Sequence, residues 1–163
     1  MILTTDKEFA DAVKSGLKIK KKTIYYTGKL EQEPVKGDYK LFYYVKDKGI
    51  YVGLIYDENG ENPKKLFIAL KDAPEKMTWD EAIRYDFKGY RLPTIRELSL
   101  IHMYKDAINA ALKKHGGKPL EDDWYWSSTE YSSNYAWGLG FLSGTRGYGS
   151  KSVNGYVRPV LAF

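Results

Sequence analysis

The chain has 163 residues, a formal net charge of +5, two histidines and no cysteine, which gives it the length for one domain with a full hydrophobic core. The absence of cysteine excludes disulfides, thiolate metal sites and a cysteine nucleophile. Asp6, Lys7 and Glu8 interrupt any apolar leader and no run has the length of a bilayer span, so the expected location is cytoplasmic, virion-associated or exported by a non-classical route, without membrane insertion.

Thr5-Asp6-Lys7-Glu8 has the spacing of a capping box, and Phe9 and Val13 follow at helical spacing, predicting a short helix that ends at Gly16. The lysine-rich 18–22 run is too short for a nucleic-acid footprint, and the other lysines are interleaved with acids, so no nucleic-acid partner is expected. Apolar and aromatic runs at 20–27, 39–46, 50–57 and 65–70 read as strands. Asp47-Lys48-Gly49 and Asn59-Gly60 lie between neighbouring runs, where tight hairpins need positive φ.

The period then changes. Thr78-Trp79-Asp80-Glu81 is a second capping box, opening a short helix predicted to bury Ala82 and Ile83 and to leave through Lys88-Gly89. Thr94-Ile95-Arg96-Glu97 is a third, and it opens the longest predicted helix. Ile95, Leu98, Ile101, Ala107 or Ile108, and Ala111 or Leu112 form one apolar stripe that stops at Gly116-Gly117. Further on, Trp137, Leu139 and Phe141 alternate with Gly138, Gly140 and Leu142, the pattern of a half-buried strand with the second set exposed. Residues 156–163 predict a closing strand with Pro159 at an edge or bulge. Arg158 is expected to hold loop carbonyls or a buried acid. Strands, two helices and strands again make an α+β domain with an N-terminal helix and β-rich extension.

No reaction is nominated. His102 and His115 are the only histidines, thirteen apart on the predicted long helix, and with no third nitrogen or sulfur ligand they make no metal site. Asp57, Glu58, Glu61, Glu121, Asp122 and Asp123 leave open a carbohydrate-active enzyme using two facing carboxylates. Glu121-Asp122-Asp123 reads either as a calcium patch or as a solvated acidic turn, and its contiguous acids fit the turn better. Phosphate-loop, dinucleotide and nucleophile-elbow motifs are absent, and no cofactor is expected. From Tyr131 onward the chain is instead rich in Tyr, Ser, Gly and Asn, the residue types of antibody combining sites, where rigid rings and adaptable hydrogen-bonding groups make contact at low entropic cost.

Trp79-Asp80-Glu81-Ala82, Gly89-Tyr90-Arg91-Leu92-Pro93-Thr94, the run from Tyr125-Trp126-Ser127-Ser128-Thr129 through Ser133-Asn134-Tyr135-Ala136-Trp137, and Val157-Arg158-Pro159-Val160 carry a resemblance. Over roughly residues 76–163 the chain resembles the C-type lectin fold of the formylglycine-generating-enzyme type, and more closely the variable proteins of bacterial and phage diversity-generating retroelements. The resemblance implies a C-type lectin-like domain at 76–163, with a variable region at about 125–163, preceded by residues 1–75 as a helix and antiparallel strands. It implies a non-enzymatic protein that binds a protein or cell-surface ligand. In such proteins the Asn codons of the last gene segment are mutated at their adenines. The matching positions are Tyr135, Gly138, Gly140, Leu142, Ser143, Thr145, Arg146, Gly147, Tyr148, Gly149, Ser150, Ser152, Val153, Asn154 and Gly155. Adenine substitution in an Asn codon cannot yield Lys, Glu, Gln, Met or Trp, and none of these stands there. Trp137, Phe141, Gly144 and Lys151 are assigned to the fixed frame. A non-diversified surface or structural protein of the same fold is the main alternative. The cysteines, histidine ligands and calcium motifs of the related enzymes and lectins are missing.

Overall fold

The computed structural model describes residues 39–56 and 62–163, all within the unit Gly37–Phe163. The expected first helix, the 20–27 strand and the Asn59-Gly60 turn lie outside the described residues. The described chain is α+β: two antiparallel sheets and three helices.

The first sheet contains β1 (Tyr44–Val45), β2 (Gly49–Ile55), β3 (Lys64–Ile68) and β7 (Val160–Ala162), in the order β1-β2-β3-β7. The expected 39–46 strand shrinks to two residues because Phe42 takes φ +61°, which breaks the extended conformation. The predicted turn forms, with Asp47 at φ +62° and Gly49 at +92°. Only glycine fits at position 49, since a β-carbon would overlap the Ile68 carbonyl. β3 pairs with β7, so strands from the two ends of the described chain share one sheet.

Both capping boxes form: Thr78 opens α1 (Trp79–Arg84) and Thr94 opens α2 (Ile95–Met103), each with the reciprocal bond from a glutamate three residues on. Ile83, expected in the core, is exposed, because the six-residue helix turns only Trp79 and Ala82 inward. The single long helix expected from Ile95 is two: α2 stops at Met103 and α3 runs Lys105–Lys114. Between them Tyr104 has φ −106° and ψ 20°, with its ring 5.3 Å from that of Phe42. Leu98 and Ile101 of α2 and Ile108, Ala111 and Leu112 of α3 all face the core, as the apolar stripe predicts. There they meet Ile50, Val52, Leu66, Ile68 and Val160 of the first sheet.

The second sheet is a meander of β4 (Trp124–Glu130), β5 (Tyr135–Gly140) and β6 (Thr145–Ser150), in that order. Residues 155–160 run between the sheets. Tyr156 exchanges backbone bonds with β4 and Val160 with Arg91, while Pro159 accepts from the Ala69 amide at 2.9 Å. The predicted closing strand is therefore regular only from Val160: Pro159 has no amide hydrogen, and the buried Arg158 side chain is committed elsewhere. A second core, of Met77, Trp79, Ala82, Leu92, Trp126, Ala136 and Val157, fills the space between α1 and β4–β5.

Candidate ligand-binding surface

The motifs behind the resemblance are framework. Glu97, buried, accepts two bonds from the Arg91 guanidinium (2.7 and 2.8 Å) and one from the Thr94 amide (2.8 Å), so Arg91 through Glu97 closes into one unit at the mouth of α2. The Ile95 amide donates to Thr129 Oγ1, the Trp79 indole to the Ser127 carbonyl and the Ser127 hydroxyl to the Trp137 carbonyl. This ties both helices to β4 and β5. Arg158 does both things expected of it: it is fully buried, donates to Asp72 Oδ1 at 2.7 Å and to the Lys118 carbonyl at 2.8 Å, and reaches the Ala69 carbonyl at 3.2 Å. Asp72 was not legible as its partner. The Tyr125 hydroxyl joins the same cluster, and burial pushes its pKa well above the usual tyrosine value.

The meander has two unlike faces. Along β5 and β6, Ala136, Gly138, Gly147 and Gly149 face Trp124 and Trp126. The two indoles pack edge to face at 5.6 Å. A β-carbon at Gly138 would overlap the Trp124 ring; at Gly155 it would lie 2.8 Å from Trp126 Nε1 and at Gly149 3.1 Å from Trp126 Cη2. These glycines let two tryptophans approach closely against the strands. The opposite face starts in the core with Tyr125 and Leu139 and opens to solvent as the strands run out, carrying Trp137, Tyr135, Arg146 and Tyr148. Here the rings gather. Tyr131 and Tyr148 stack in parallel, centroids 4.1 Å apart, with Trp137 edge-on to both at 5.4 and 5.9 Å and Tyr135 edge-on to Tyr148 at 5.8 Å. Tyr131, Tyr135 and Tyr148 remain 51%, 42% and 53% exposed, so this is a solvated aromatic surface and not core.

The sequence-derived positions divide accordingly. Tyr135, Leu142, Ser143, Thr145, Arg146, Tyr148, Ser152, Val153 and Asn154 are exposed. Gly140, Gly147, Gly149 and Ser150 are half-buried, and Gly138 and Gly155 are buried. The exposure expected of Gly138 is thus corrected, because Trp124 occupies that side of the strand. Trp137, expected to point into the core, is half-buried in the aromatic cluster. Phe141, Gly144 and Lys151 are engaged with the rest of the fold. Phe141 is fully buried, Gly144 stands at φ +73° where a β-carbon would overlap the His102 ring, and Lys151 is held by Glu130 and the Ser133 carbonyl with its ammonium 4.5 Å from the Trp79 ring centroid. Tyr131 was missed: it lies in a framework motif, and nothing in its spacing reveals the ring beneath which it stacks.

The acidic turn is dispersed. Glu121 pairs with Lys118, Asp122 with Lys105 and Asp123 with Lys76. The Lys76 bond and the Trp124 amide hold Asp123 below the usual carboxylate range. Three carboxylates aimed at three lysines make neither a facing pair nor a calcium patch. Asp57, Glu58 and Glu61 lie outside the described residues. His102 packs against Phe141 and His115 stacks on Tyr44. No group of three metal-ligating side chains occurs among the described residues, and none of their helices is long and apolar enough to cross a membrane.

The fold and surface define an α+β domain that presents tyrosine, tryptophan and arginine side chains on one open sheet face. The chain belongs to the Lcl C-terminal domain family, whose model matches residues 52–161. The match agrees with the resemblance to variable proteins of diversity-generating retroelements. No curated protein matches the chain.

Proposed function

We propose that this chain is a non-enzymatic ligand-binding protein that displays a retroelement-diversified surface on a C-type lectin-like fold, its target a protein or cell-surface ligand. The observation that carries the reading is the open face of β5–β6, where Tyr131, Tyr135, Trp137 and Tyr148 form an exposed ring cluster beside Arg146. Tyr, Trp and Arg dominate interface hot spots, because each combines large contact area with a directed polar group. The exposed members of the variable set, Tyr135, Leu142, Ser143, Thr145, Arg146, Tyr148, Ser152, Val153 and Asn154, are the residues we assign to contact and diversification. Gly138, Gly149 and Gly155 support Trp124 and Trp126 instead.

A library with adenine-mutated Asn codons at those exposed positions is predicted to stay folded, each single change falling within about 0.5 kcal/mol, as for surface sites without special roles. The same codons at Gly138 and Gly155 should give mostly destabilised proteins. Widespread unfolding of the exposed-position library by thermal denaturation would count against the assignment. The packed glycines favour one second reading, the same binding surface with a fixed specificity. It differs in having no template copy of the gene segment.

A further inference from the structure

Residues 131–163 contain three cations, Arg146, Lys151 and Arg158, and no aspartate or glutamate. Two of the cations are spent within the fold, Lys151 on Glu130 and Arg158 on Asp72. Arg146 is exposed, and its side chain makes no ion pair or hydrogen bond among the described residues. It stands on the same face of β6 as Tyr148, two residues on, which spaces the guanidinium and the ring about 7 Å apart along the strand. β6 is also the edge of its sheet: β5 pairs along one side, and no strand or bridge among the described residues occupies the other.

We infer that this variant's partner is an extended peptide segment that adds to β6 as a fourth strand, with a carboxylate on Arg146 and an aromatic or large apolar side chain, two residues away, against Tyr148 and Tyr131. The inference rests on the proposed function and names its ligand chemistry. An edge strand offers a row of backbone donors and acceptors that a peptide completes. An alternating peptide then sends every second side chain to the face where Arg146 and Tyr148 stand. The uncommitted guanidinium selects an acid, since a planar fork accepts a carboxylate in two parallel bonds. The opposite side of β6 offers only Thr145, Gly147 and Gly149, with Trp124 near Gly147, so the selectivity lies on the Arg146 face.

The test uses the full chain and two blocked peptides, Ac-Thr-Val-Asp-Val-Tyr-Val-Thr-NH2 and its counterpart with Asp and Tyr exchanged, which cover both strand directions. Binding is followed by fluorescence anisotropy of labelled forms. One frame is expected to bind, and to weaken at least tenfold on Asp to Asn exchange in the peptide, on Arg146→Gln in the protein, or on N-methylation of every second peptide amide in one of the two phases. Binding lost with Tyr148→Ala but indifferent to Arg146→Gln and to N-methylation in both phases overturns strand addition and leaves the surface a binding site. Failure of both frames overturns the inference, and the underlying reading is then judged separately by the library measurement above.

Discussion

Gly138 and Gly140 look alike in sequence, two small residues of one alternating set, yet they have opposite surroundings. At Gly138 an added methyl meets the Trp124 ring and the Tyr125 carbonyl, whereas at Gly140 the nearest atom outside the immediate chain is Ser143 Oγ at 3.8 Å. Gly138→Ala is therefore predicted to cost about 1–3 kcal/mol, the usual range for overpacking, and Gly140→Ala less than about 0.5 kcal/mol; urea denaturation of the two variants separates them. Arg158→Ala leaves Asp72 buried beside carbonyls it cannot use, and should cost about 3–5 kcal/mol. A loss under about 1 kcal/mol would mean that water replaces the guanidinium freely. Trp137→Ala should cost less than the roughly 3–5 kcal/mol of a fully buried tryptophan, because the ring is half in solvent. At this scale the sequence told which residues are unusual, Arg158 among them. It could not tell which neighbour each one meets, since Asp72 is 86 positions away.

Among the elements, local signals were legible and long-range ones were not. Both capping boxes could be read because the cap and its glutamate are three residues apart and satisfy each other before any tertiary contact forms. Thr94→Ala should cost about 1 kcal/mol by thermal or chemical denaturation, and Thr94→Ser should restore most of it. The break at Tyr104 was hidden, because the apolar stripe of α2 continues in the same phase into α3 and leaves no mark in the pattern. The faces of β5 were legible in part: Leu139 and Phe141 are buried and Leu142 is exposed as expected, whereas Gly138 and Trp137 depart. Alternation identifies two faces but not which is buried, and the larger residues, Tyr135 and Trp137, stand on the open one because Trp124 and Trp126 from β4 already fill the other.

For the whole molecule, one construction explains both the rigid and the open parts. The C-terminal stretch bonds to β4, to Arg91 and to β3, so the frame that carries the aromatic surface is fastened at several points, while the surface itself adds few bonds to the frame. Changes at exposed positions should then alter binding without altering the fold: Tyr148→Ala is expected to leave the melting temperature within a few degrees of the parent, whereas Trp126→Ala should lower it sharply through the loss of a fully buried ring. The composition of the final segment was the legible sign of this division. Its allocation between contact and support needed the packing of two indoles against glycine.

If the exposed variable residues are one draw from a repertoire, the DNA beside the gene carries the record, and sequencing it is the decisive measurement. A reverse transcriptase gene is expected there, with a near-copy of the final gene segment whose adenines fall at the codons of Tyr135, Leu142, Arg146, Tyr148 and the other exposed positions. Flanking DNA with no such copy, or a copy whose adenine differences fall at the codons of Trp124, Trp126 and Arg158, would contradict it.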